Sequence, residues 1–323
     1  MSMPPFLINA IDQLAAKYAP GELAHAAREI SDRYRSQAHT PGQTFLKNEA
    51  DRLAYLTVRM PATYGAVMAV LQELAERFEG FLPHSMGDLG AGPGTGMWAA
   101  VETFPGLNSV YLLEGDRAFL QVGQALAALA VLPTTVQAQW HQGDVGQIAQ
   151  GPSFDLTLMS YVLGELSSDK RAAILPKAWA HTDQALVIIE PGTKRGYATI
   201  LEAREQLLAL GAHLLAPCPH ERACPMVGTE DWCHFAARVS RTSLHRQIKG
   251  ASLGYEDEKY SYVIFTKSPK SKVSDRIVRH PQKKSGHVLL ETCSVDGLKK
   301  ITISKKQGDE YRWARKVEWG EGR

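Results

Sequence analysis

Apolar residues fall at helical spacing through the first eighty positions of the chain and then switch to short, nearly unbroken runs. Leu23, Ala26, Ala27 and Ile30 recur at the interval of one buried helix face. A second helix is expected from Thr44 to Val58. Pro61 suits the first turn of a third, Ala62 to Phe78, with Val67, Val70, Leu71 and Leu74 on one face. From His84 the pattern predicts strand and helix in turn. Strands are expected up to Asp88 and over Ser109 to Glu114, Thr135 to Trp140, Phe154 to Met159 and Ala185 to Glu190. Helices are expected over Met97 to Phe104, Arg117 to Ala130 (capped by Asp116) and Thr199 to Leu210. Glu258 to Lys267 reads as a last strand, and His287 to Thr292 with Leu298 to Ser304 as a hairpin around Asp296-Gly297. Such alternation predicts a parallel sheet covered on both faces, with ligands at the carboxyl ends of its strands.

Those ends carry the candidate chemistry. Asp88-Leu89-Gly90-Ala91-Gly92-Pro93-Gly94-Thr95-Gly96 closes the first strand and opens a helix. Glycines here permit positive φ and let backbone approach a ligand closely. The spacing D-x-G-x-G-x-G resembles the S-adenosylmethionine loop of class I methyltransferases more than the G-x-G-x-x-G of dinucleotide enzymes. Glu114 ends the second strand, where a carboxylate can accept both ribose hydroxyls. Asp144 follows the third, where it can accept from an adenine amino group with Val145 beside the ring, and Ser160 closes the fourth. The plainer reading makes Glu114 and Asp144 loop acids or helix caps. Arg52, Tyr55, Arg59 and Tyr64 form a close-set group that either faces a substrate or RNA backbone or packs helix on helix.

After the Thr199 helix the pattern breaks into C-P-H-x3-C-P-x6-W-C-H-F, which carries Cys218, Cys224 and Cys233; a fourth cysteine, Cys293, lies in a late strand. Thiolates are soft ligands, so this grouping points to an iron–sulfur cluster or zinc. Four cysteines could complete the site, or three with His220 or His234 for zinc. The alternative is a set of buried structural thiols.

Composition narrows the class. With 44% hydrophobic and 22% charged residues the chain reads as globular, and it has no run able to span a bilayer and no basic, apolar leader, so the expected location is the cytoplasm of a bacterium. A monomer is expected. Net charge is +2, yet after Lys267 basic residues outnumber acidic ones about two to one. There Tyr311, Trp313 and Trp319 are interleaved with Arg312, Arg315 and Lys316, which suits stacking on RNA or, equally, the core of a small β-layer.

Several stretches together resemble the methyltransferase-like family of the mitochondrial small ribosomal subunit and its bacterial relatives. They are Tyr55 to Tyr64, Asp88 to Gly96, Ser160 to Leu166, Glu190-Pro191-Gly192-Thr193, the Cys218 to Phe235 block and the Trp319-Gly320 ending. The resemblance implies a class I methyltransferase, Rossmann-like α/β fold that binds S-adenosylmethionine. It also implies a [4Fe-4S] cluster on Cys218, Cys224, Cys233 and Cys293, and association with the small ribosomal subunit and its rRNA. The expected layout is a helical region over 1–80, a methyltransferase-like domain over 81–267 with a Cys-rich insert at 213–239, and a basic β-rich extension over 268–323. Three functions are in view: an rRNA-directed methyltransferase-like protein, a catalytically inactive assembly factor, and a small-molecule methyltransferase with a zinc site. Ser160-Tyr161-Val162-Leu163 stands where amino-group methyltransferases carry Asn/Asp-Pro-Pro-aromatic, and no cysteine nucleophile or general base lies at a strand end.

Overall fold

In the computed structural model, which describes residues 1–35 and 46–323, helices α1 (Pro5–Ala15), α2 (Pro20–Arg35), α3 (Glu49–Val58) and α4 (Met60–Arg77) precede the sheet. The expected start of the second helix at Thr44 lies outside the described residues. Asn48 caps α3 by accepting from the Asp51 amide, which fixes that helix's first turn. The periodic residues behave as their spacing demands: Leu23, Ile30, Val67, Leu71 and Leu74 are all buried.

The strands of the main sheet are β1 (Ser85–Leu89), β2 (Ser109–Glu114), β3 (Gln137–Gln142), β4 (Phe154–Ser160), β5 (Thr182–Pro191), β6 (His213–Ala216), β7 (Phe235–Ser240) and β8 (Tyr255–Thr266). Between them run α5 (Thr95–Thr103), α6 (Arg117–Ala130), α7 (Ser168–Ala180), α8 (Lys194–Ala209) and α9 (Ser243–Lys249). The order is β3-β2-β1-β4-β5-β8-β6, with β7 also on β8. β1 to β5 pair in parallel and β8 runs antiparallel to β5, β6 and β7. This is a mixed, Rossmann-like sheet. The five alternating strands pair in parallel as expected, β8 joins them antiparallel, and the third strand sits two residues later than expected. One apolar face packs on α4, α5 and α6, and the other on α7 and α8. Among the described residues no helix is long and apolar enough to cross a membrane.

The sheet is interrupted along one edge. β6 and β7 occupy the same side of β8, end to end: β6 pairs with Ile264 to Thr266 and β7 with Tyr255 to Tyr260. Residues 217–234 leave the sheet in the gap between them. A second, four-stranded sheet closes over that region, built from β9 (Asp275–Ile277), β10 (Gln282–Lys284), β11 (His287–Ser294) and β12 (Gly297–Ser304), with α10 (Asp309–Ala314) after it in the chain. Val288, Leu290, Ile303, Ala314 and Val317 form its small core, against which Tyr311 and Trp313 pack.

Candidate cofactor and cysteine sites

The glycine loop leaves β1 at the centre of the sheet, where the strand order reverses. Gly90, Gly92 and Gly94 have φ of 79°, 54° and 81°, a region that residues with a Cβ rarely enter. A side chain at Gly94 would lie 2.8 Å from the Trp140 ring, and one at Gly90 would collide with Val162. The turn is braced on the end of β2, since the Gly90 and Ala91 amides donate to the Leu113 carbonyl at 2.8 and 3.1 Å. Glu114, one residue on, accepts from the Gly92 amide at 2.8 Å and from the Asp116 amide at 2.7 Å. Each oxygen keeps acceptor capacity toward the open side. Burial raises the Glu114 pKa, while the amides of Asp116 and Gly92 oppose the rise.

Asp88 is fully buried beneath the loop, and a Cβ on Gly96 would sit 2.6 Å from its Oδ2. Burial, then the charge of Glu114, pushes its pKa to about 7; the Met97 amide at the start of α5 works the other way. Asp144 is exposed at the end of β3 and caps the turn after it, accepting from Gly146 at 2.8 Å. Val145 is buried beside it, and Ser160 is half-buried at the end of β4. All eight predicted residues therefore lie along one edge of the sheet.

The cysteines gather elsewhere. Cys218, Cys224, Cys233 and Cys293 line a single cavity together with Tyr197 and Arg204 from α8. Its floor is Ser261, Tyr262 and Val263, the stretch of β8 left bare between β6 and β7. Cys293 arrives on β11, directly opposite Arg276 of β9. All four are free and half-buried. Burial raises the Cys218 and Cys233 thiols, and Cys293 reaches about 12; the neighbouring thiols add to the rise in all three. Desolvation and the crowding of like groups both disfavour a thiolate, and the Arg204 guanidinium opposes them at Cys218 and Cys293. His220 also lines the cavity, its Nε2 4.0 Å from Cys293 Sγ. His234 does not; its ring lies between Trp232 and Trp319. Among the described residues no group of three or more His, Cys, Asp or Glu has the arrangement of a metal-ion site.

A family model described as the mitochondrial small ribosomal subunit Rsm22 matches residues 49–322. The chain belongs to the Rsm22 family. Among curated relatives, the Rsm22-cox11 tandem protein 2, mitochondrial, of Schizosaccharomyces pombe is 27% identical over 96% of this chain and 49% of its own length. The human mitochondrial ribosome assembly protein METTL17 is 24% identical over 93% of this chain and 67% of its own. This Rsm22-family chain thus spans about half the length of the first of these. Among solved structures, magnesium protoporphyrin IX methyltransferase of Synechocystis with bound SAM aligns at a TM-score of 0.42 and 17% identity, covering 74% of this chain and 91% of that one. The expected bacterial cytoplasmic location is contradicted by the two relatives, both of which are named as mitochondrial.

Of the four N-terminal residues that the sequence grouped, Arg52, Tyr55 and Arg59 stay together on one face of α3 toward the ends of β2 and β4, and Tyr64 turns into the helical layer. Arg52 pairs with Asp116 at 3.1 Å and Arg59 with Glu258 at 3.3 Å. Tyr55 stands edge-on to Phe119 at 5.0 Å, and Tyr64 bonds Glu102 inside the helical layer. Three further residues stand at this candidate site, and of these Glu165 and Glu190 were not predicted as site residues. Tyr161, at the end of β4, has φ 60° without being glycine, and its hydroxyl donates to Glu258 at 3.2 Å. Glu165 is open to solvent but recessed, and burial, Glu114 and Glu190 push its pKa to about 8. Burial carries the enclosed Glu190 to about 7. Nothing local distinguishes Glu165 from an ordinary loop acid; only the fold sets it between two other carboxylates.

Proposed function

We propose that this chain is an S-adenosylmethionine-binding, methyltransferase-like protein that acts on the small ribosomal subunit and its rRNA during assembly. One observation carries the cofactor: Glu114 ends β2 with its carboxylate on the Gly92 amide, so that the ribose acceptor and the glycine turn form one unit. Gly90, Gly92 and Gly94 would let the methionine part lie on the backbone, with Asp88 beneath. Asp144 and Val145 would flank the adenine, and Ser160 the reactive end. S-adenosylmethionine supplies the activated methyl group.

The name of the human relative, a ribosome assembly protein, supports the assembly role. We further propose that Cys218, Cys224, Cys233 and Cys293 hold an iron–sulfur cluster. The four thiols fit because separate chain segments bring sulfur to one cavity. Bound there, a cluster would cross-link the 217–234 segment to the second sheet.

The inactive assembly factor is favoured by a separate observation, the tethering of the Tyr161 hydroxyl to Glu258 where many methyltransferases place their target-binding side chain. A cofactor titration followed by methyl transfer to small-subunit RNA separates the two readings. Binding with transfer supports the enzyme, and no transfer, with or without binding, supports the assembly factor; no binding also removes the cofactor reading. For RNA, Arg312, Arg315 and Lys316 are exposed, while Tyr311 and Trp313 serve the small core. Replacing those three cations with Gln should flatten the salt dependence of RNA affinity; an unchanged slope would move the contact elsewhere.

A further inference from the structure

Arg204 lies on α8 with only 3% of its surface exposed. Its Nη2 donates to the carbonyls of His220 at 3.1 Å and Arg222 at 2.7 Å, both in the loop between Cys218 and Cys224. Its Nε is buried and has no partner. No carboxylate pairs with it among the described residues, although Arg171 nearby is paired with Glu202 of the same helix at 2.9 Å. The other guanidinium at the cavity, Arg276, is already balanced by Glu73 at 2.6 Å. Arg204 is therefore a buried cation without a carboxylate counter-charge, on the wall of a space lined by four thiols. An isolated buried charge costs several kcal/mol unless something compensates it. The two carbonyls supply dipoles, not charge.

We infer that Arg204 is the counter-cation and N–H donor for a net-anionic, thiolate-ligated centre in this cavity, and so a positioning residue that sets both the retention and the reduction potential of the cluster. The inference rests on the cluster reading above. An iron–sulfur core bound by four thiolates carries net negative charge, and net charge and hydrogen bonds to sulfur are the terms by which a protein tunes such a centre. Arg204 would supply both from one side chain. Taking its charge away destabilises the reduced, more negative form most, so the potential must fall.

The test uses the full chain, purified anaerobically as wild type, Arg204→Gln and Arg204→Lys. Iron, sulfide, loss of iron to a chelator and the potential from a dye-mediated titration are measured on each. The Gln variant should lose iron about 10- to 100-fold faster, and its remaining cluster should reduce at a more negative potential. The Lys variant, which keeps the charge and gives up the fork, should recover most of the potential. Faster loss at an unchanged potential would reduce Arg204 to a pin for the loop and overturn the inference while leaving the cluster in place. If the Gln variant holds no cluster, the Lys variant decides: a cluster near the wild-type potential supports the inference, and none overturns it. Wild type without iron and sulfide would remove the cluster reading and the inference together.

Discussion

Replacing Glu114 with Ala tests the cofactor site at its most connected point. The substitution removes the acceptor for the Gly92 and Asp116 amides, which bond it at 2.8 and 2.7 Å. It also removes the expected acceptor for the ribose hydroxyls. A hydrogen bond to a charged group contributes about 1.5–3 kcal/mol. Burial raises the Glu114 pKa, so the free carboxyl is less willing to ionise, and part of the bond energy is spent on that; the lower half of the range is the better expectation. Since about 1.4 kcal/mol is tenfold, S-adenosylmethionine affinity should fall by at least about tenfold. Titration calorimetry reads this directly. Asp144→Ala is the control, because Asp144 is exposed and bonds only its own turn, so its loss should be smaller. An affinity within twofold of wild type in Glu114→Ala, with the variant folded, would refute the placement of the ribose.

Three further outcomes are expected from the same geometry. Gly94→Ala combines a φ of 81° with a Cβ 2.8 Å from Trp140, and should cost about 1–3 kcal/mol in urea denaturation; a neutral result would mean the turn is not strained by a side chain. Arg276→Leu breaks bonds to Glu73, Pro217 and Gly320 at 2.6, 2.8 and 2.7 Å. It should cost about 3–5 kcal/mol and expose the chain after Lys267 to protease, and a cost below about 1 kcal/mol would count against that tether. Asp88 has a folded pKa raised to about 7, so the folded state binds its proton more tightly than the unfolded chain does. Its contribution is therefore largest at low pH and is lost as pH rises from about 4 to about 7, up to about 4 kcal/mol in all. Asp88→Asn should flatten that fall in a pH series of denaturation midpoints, and an unaltered slope would assign it to other groups.

Local pattern determined a good deal. β2 and α6 lie where alternation and the Asp116 cap place them, because strand period and capping are properties of adjacent residues. The glycine loop was legible for the same reason: positive φ leaves its mark on residue type. Gathering the cysteines was not local. Spacing could join Cys218, Cys224 and Cys233, but Cys293 reaches them only because β9 and β11 pair and close over the gap between β6 and β7. β6 and β7 themselves escaped the pattern, being a four-residue strand and a strand behind the irregular cysteine segment. The antiparallel run of β8 was equally hidden, since strand direction depends on how the connecting segments return the chain to the sheet and not on composition. Charge followed the same division. Arg204 looks like any helix arginine in the sequence, and Glu165 like any loop acid; burial and the absence or presence of charged neighbours, which only the tertiary structure supplies, make one an uncompensated cation and the other a carboxyl that holds its proton near neutrality.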